Sequence, residues 1–84
     1  MSRHVLITSA QLGLELQASR RAMGLTQADI GTQIGLSQSR VSHLELHPEQ
    51  LSAEQLLAWC AVLGLELSIG MRHTTASAPP ATDW

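Results

Sequence analysis

The sequence predicts an all-α domain of four to five short helices, followed by one C-terminal β-strand that pairs across a dimer. Three observations lead there: a helix-start device that recurs four times, a change of hydrophobic period after Gly64, and an apolar surplus, 44% hydrophobic against 14% charged in 84 residues. A chain this short buries a modest fraction of its surface, so a second subunit supplies cover that one copy lacks. Neither Phe nor Tyr is present, which leaves the core to aliphatic side chains and tryptophan.

The helix-start device is an apolar residue, a Thr or Ser cap, and a second apolar residue at the fourth helical position. The caps are Thr8, Thr26, Ser37 and Ser52, and their hydroxyls accept from amides of the first turn that have no helical partner. The flanking pairs Ile7/Leu12, Leu25/Ile30, Leu36/Val41 and Leu51/Leu56 are placed to act as hydrophobic staples, and Gln11, Asp29 and Gln55 hold the capping-box position. Gly24 and Gly35 sit where the first two helices should stop in a left-handed turn. The expected helices are 9–23, 27–34, 38–45 and 53–63.

After Gly64, the residues Leu65, Leu67, Ile69 and Met71 alternate with Glu66, Ser68 and Gly70, which is the period of a strand. Apart from a short stretch at His4 to Ile7, no second strand is offered, so the same strand of another subunit is the simplest partner. The remainder, HTTASAPPATDW, is polar and proline-containing, and reads as a flexible tail. The division is therefore a folded and dimerising domain over 1–72 and a tail over 73–84.

Charge narrows the partners. The chain carries a net −2 and no lysine, but the balance is uneven. Residues 1–47 set Arg3, Arg20, Arg21 and Arg40 against Glu15, Asp29 and Glu45, with His4, His43 and His47 in addition, whereas residues 48–84 set Arg72 against Glu49, Glu54, Glu66 and Asp83. The acidity lies in the second half, which leaves the first half able to meet phosphates. A lone Cys60 excludes an internal disulfide framework and reads as an inert core residue in a reducing compartment. No window approaches the roughly 20 apolar residues of a membrane span, and the apolar run at the start is too short for a signal peptide. A cytoplasmic protein without membrane contact is expected.

The stretch TQADIGTQIGLSQSRVSHLE, Thr26 to Glu45, has the parts of a two-helix unit that reads DNA: a short helix, a tight turn with Gly35, and a second helix with small and amide side chains outside. Ile30, Ile34, Leu36, Val41 and Leu44 are expected to face inward, and Gln38, Ser39, Ser42 and His43 outward. Glutamine can bond adenine in a bidentate fashion, serine serves several bases, and histidine can donate to guanine. An ordinary helical hairpin with a solvated face is the competing account.

Gln27, Ile30, Gly35, Leu36, Ser37, Val41, Ser42, Leu44 and Glu45 together resemble the Xre/Cro-type helix-turn-helix family of the lambdoid phage repressors, over roughly residues 12–64. The resemblance implies a lambda-repressor-like bundle in which Gln27 buttresses Gln38 and Arg20 pairs with Glu45, making Arg20 structural. It also implies a DNA-facing set of Arg21, Gln27, Ser37, Gln38, Ser39, Arg40, Ser42 and His43. Gly31 departs from the family's usual Ala, at a cost of about 1 kcal/mol for glycine inside a helix.

The segment VLITSAQLG, the strand LELSIGM and the loose tail ending in Trp84 are similar to the HipB antitoxins. That narrower resemblance implies a homodimer joined through Leu65, Leu67, Ile69 and Met71, repression of its own operon, and binding of a HipA-type serine/threonine kinase toxin, with Trp84 as a partner contact. Helix 53–63 is apolar nearly all round, and Trp59 is assigned to the face that a second subunit covers. A stand-alone phage-type repressor and a protein-binding adaptor that no longer reads DNA remain alternatives. His43, His47, Cys60 and His73 match no zinc signature, and Glu45 with the neighbouring serines makes no catalytic set, so neither metal, cofactor nor enzymatic activity is expected.

Overall fold

The computed structural model describes residues 5–71. Four α-helices follow one another: α1 Ser9–Ala22, α2 Gln27–Ile34, α3 Gln38–Leu46 and α4 Ala53–Leu63, with a 3-10 turn, Pro48–Gln50, between the last two. Each of the four expected caps is used. The Thr8, Thr26, Ser37 and Ser52 hydroxyls accept from the amides of Gln11, Asp29, Arg40 and Gln55, and Gln11, Asp29 and Gln55 reach back to the cap amides to complete capping boxes.

The helices stop for stated reasons. Gly35 takes φ 77° after α2, which lets the Leu36 amide donate to the Gly31 carbonyl at 2.9 Å, and Gly64 takes φ 70° after α4. α1 ends one residue before the expected boundary. α3 runs one residue past it, to Leu46, and then His47 is held out of the helical region because Pro48 follows.

The core is one cluster in which Leu16 of α1, Ile30 of α2, Val41 and Leu44 of α3, and Trp59 and Leu63 of α4 are fully or almost fully buried. Leu12, Leu25, Ile34, Leu36, Leu51 and Leu56 pack against it, so seven of the eight staple residues seal its edge or lie inside it; Ile7 is the exposed one. α3 is thereby gripped from behind by α1 and α2. Two glycines set how closely. A Cβ on Gly13 would meet the Glu45 carbonyl oxygen at 2.6 Å, and one on Gly31 would overlap the Leu36 carbonyl oxygen. Gly31 is therefore required by the α2–α3 turn, and the expected loss relative to Ala does not apply, because Ala does not fit there.

One expectation changes. Trp59 is 0% exposed within a single chain, in the centre of its own core, so it occupies no face left for a second subunit. A core without other aromatics needs its volume. Among the described residues its indole N–H has no hydrogen-bond partner, a cost accepted for that packing. Residues 65–71 carry no strand within the single chain, since a strand is made by ladder bonds to a neighbour and no neighbouring edge is offered among the described residues. The tail 73–84, with His73 and Trp84, lies outside the described residues. No helix among the described residues is long and apolar enough to cross a membrane.

Candidate nucleic-acid interface

α3 presents its outer face to solvent while its inner face is fixed. Ser37, Gln38, Ser39, Arg40 and His43 are exposed and Ser42 is half-buried, whereas Val41, Leu44 and Glu45 are buried. The sequence spacing produces this division: positions 41, 44 and 45 share one stripe of a 3.6-residue helix, and 38, 39, 42 and 43 share another. Arg21, on the last turn of α1, is also exposed.

Behind that face runs a chain of polar contacts from the core to the surface. The Arg20 guanidinium grips the Glu45 carboxylate with both arms, Nε to Oε2 at 2.7 Å and Nη2 to Oε1 at 3.1 Å, while Nη1 donates to the Leu25 carbonyl at 3.1 Å. Both side chains are buried, and the fork geometry satisfies the charge of each. Gln27 Nε2 then donates to the same carboxylate oxygen, Glu45 Oε1, at 3.0 Å, and Gln38 Nε2 donates to Gln27 Oε1 at 2.7 Å.

The consequence for Gln38 is a committed orientation. Its amide nitrogen is tied back to α2, and α2 is tied through Gln27 and Glu45 to α1. A side chain on the surface is thus held by a buried ion pair three links away, which lowers the ordering cost of using it as a contact. Gln27 spends both its amide ends on this chain and acts as a brace for Gln38 more than as an outward group.

The start of α2 lines a shallow depression of about 500 Å³ beside this chain, with Arg21, Thr26, Gln27, Ala28 and Gln38 on its walls. A cation and a helix N-terminus at one concavity suit an anion such as a backbone phosphate. Arg20, despite lining the same depression, is already paired with Glu45. At the other end of α3, His43 Nε2 lies 2.9 Å from Gln50 Oε1, the rings of His43 and His47 stand 4.7 Å apart, and His47 Nδ1 lies 3.4 Å from Glu49.

Of the predicted DNA-facing residues, Arg21, Ser37, Gln38, Ser39, Arg40 and His43 are exposed, Ser42 is half-buried, and Gln27 is half-buried behind Gln38. Gln50 was not foreseen. Its seven-residue distance from His43 is two helical turns, but Pro48 ends that reading in the sequence, and only the 3-10 turn brings the two together. Cys60 is buried, and burial pushes its thiol up from the usual range. Among the described residues, no group of three His, Cys, Asp or Glu side chains gathers as metal ligands would.

The sequence model of one family, described as a helix-turn-helix domain, matches residues 11–68. No curated protein matches the chain. Among solved structures, the fold is similar to a chain from a HipA-HipB-O2-O3 complex, with a TM-score of 0.77 and 20% identity over 84% of this chain and all of that one. It is also similar to a chain from a HipB-O1-O2 complex, with a TM-score of 0.74 and 20% identity over 82% of this chain and all of that one. A structure named MDT protein gives a TM-score of 0.77 and 20% identity over 84% of this chain and all of that one.

Proposed function

This chain belongs to the helix-turn-helix domain family, and from that premise we propose that it is a sequence-specific DNA-binding repressor acting as a homodimer, in the manner of a HipB-like antitoxin. The observation that carries the reading is the braced face of α3: Gln38 held by Gln27, Gln27 by Glu45, and Glu45 by Arg20, with Ser39, Arg40, Ser42 and His43 beside it. A merely solvated helix has no use for a surface amide fixed from the core.

In this reading α3 enters the major groove. Gln38, Ser39, Ser42 and His43 meet base edges, while Arg21, Arg40, Ser37 and the start of α2 fix the register on phosphates. Few cations take part, so non-specific affinity is modest and falls gently with salt. The exposed apolar run Leu67, Ile69 and Met71 pairs with its copy as a strand across the dimer and places two α3 helices on half-sites roughly 34 Å apart.

Structural likeness to a chain found with HipA supports a kinase of that type as the protein partner. Trp84 is assigned as its contact, because one tryptophan can supply about 2 kcal/mol or more of a binding interface. Repression of its own operon completes the proposal.

Gel shift against the DNA upstream of its gene tests the DNA-reading part. A specific complex is expected, and a chain that binds neither this DNA nor any selected duplex would be the adaptor instead. Calorimetry of the full chain and of a chain lacking residues 79–84 against a HipA-type kinase tests the partner. Weaker kinase binding with unchanged DNA binding is expected, and equal kinase affinity would remove the role of Trp84.

A further inference from the structure

Both ends of α3 carry an outward side chain held by a glutamine from a neighbouring element. At the front, Gln27 takes the amide of Gln38 at 2.7 Å. At the back, Gln50 of the 3-10 turn places its Oε1 2.9 Å from His43 Nε2. An amide oxygen only accepts, so in this arrangement the tautomer of His43 that bonds Gln50 is the one with its hydrogen on Nε2, which donates. The neutral ring is then left with Nδ1, which can only accept. The His47 ring lies beside it, tilted by 35° at a centroid distance of 4.7 Å, and its own Nδ1 lies 3.4 Å from Glu49 Oε2.

We propose that Gln50 is a positioning residue for base reading, fixing the tautomer and ring plane of His43 so that this end of each half-site is read as an amino donor, adenine N6 or cytosine N4. This rests on the DNA-reading function above and adds the chemistry that the His43 position selects. Residue type alone also allows a guanine acceptor; the bond to Gln50 removes that option for the neutral ring. The geometry parallels the front end, where Gln27 decides which atoms Gln38 keeps for DNA.

The test is a selection from a pool of randomised duplexes with the full chain and with His43→Ala, Gln50→Ala and Gln50→Glu, each checked for folding by circular dichroism. Because Gln50 is exposed, its variants are expected to keep the fold. His43→Ala marks the base pair concerned. Gln50→Ala should cost roughly tenfold in preference at that base pair alone and leave the base pairs read by Gln38 unchanged. Gln50→Glu keeps an oxygen acceptor opposite the Nε2–H, so the preference for an amino donor at that base pair should be retained where Gln50→Ala loses it. A residue that only supports the fold would not change which base is chosen.

An unchanged base preference in Gln50→Ala, or an even loss at every position, overturns the proposal. So does nitrogen NMR of the free wild-type chain if the His43 ring is protonated on Nδ1 or mixed between tautomers, a measurement that needs no DNA. A wild-type chain that enriches no sequence removes the function and this inference together, whereas an enriched site indifferent to Gln50 removes this inference alone.

Discussion

The α2–α3 unit and the segment after Gly64 use their apolar and polar groups in opposite ways. In the first, the buried Glu45 carboxylate is paired with Arg20 of α1, and the apolar side chains Ile30, Val41 and Leu44 are fully covered. In the second, Ile69 is 97% and Met71 75% exposed, with no element among the described residues to cover them. One copy of the chain covers the apolar face of α2 and α3 and leaves its C-terminal segment open. Under the proposed function the difference separates two tasks: base reading is built within a chain, and the spacing of two α3 helices is left to the association of chains.

Breaking the first region should be the most damaging change. Glu45→Ala leaves the Arg20 guanidinium buried without its carboxylate, and should lower stability by about 3–5 kcal/mol in chemical denaturation. Gln27→Ala, which leaves that ion pair intact, should cost far less. Equal losses for the two would show that the ion pair is not the anchor of the chain of contacts.

Breaking the second region should spare the fold. Ile69→Pro removes a ladder donor, so the helical signal and its melting midpoint should stay close to wild type while light scattering reports a monomer. Affinity for a two-half-site duplex should fall roughly 100-fold or more through loss of bivalency. A full dimer in that variant would exclude the segment 65–71 as the essential interface.

Smaller effects sharpen the contrast. Gly31→Ala should destabilise by about 1–3 kcal/mol despite alanine's better helix propensity, because the new methyl meets the Leu36 carbonyl; a stabilised variant would refute the close approach. The mildest is a pH effect at the start of α2. The Thr26 backbone amide, and then its hydroxyl, hold the Asp29 carboxyl below its usual value of 3.8. A folded-state value lower than the unfolded one gives stability that is present above the unfolded value and lost as pH falls through the folded one. Protection of the α2 amides, their exchange rate relative to that of unstructured chain at the same pH, should therefore fall as pH drops from about 4 downward in wild type, and fall less in Asp29→Asn.

What the sequence disclosed follows the same division. Caps are local chemistry, so Thr8, Thr26, Ser37 and Ser52 marked the helix starts, and Val41 and Leu44 against Gln38, Ser39, Ser42 and His43 separated the buried face of α3 from its open one. The braces Gln27–Gln38 and Arg20–Glu45 came from family likeness, since residues 11 and 25 apart in sequence announce no contact by themselves. Trp59 was misassigned because α4 is apolar nearly all round, and periodicity cannot say which of two apolar faces a neighbour in the same chain takes. The contact of His43 with Gln50 depended on a turn geometry that Pro48 conceals in sequence. Gly13 and Gly31 likewise gave no sign of the carbonyls lying against them.

The most direct test of the account compares wild type with Gln38→Ala by fluorescence anisotropy on two duplexes, one enriched from the randomised pool and one scrambled. Gln38→Ala should lose about 1–3 kcal/mol on the enriched duplex and almost nothing on the scrambled one, with the fold unchanged. Equal losses on both duplexes, or no preference by wild type for either, would contradict the claim that the braced face of α3 reads sequence.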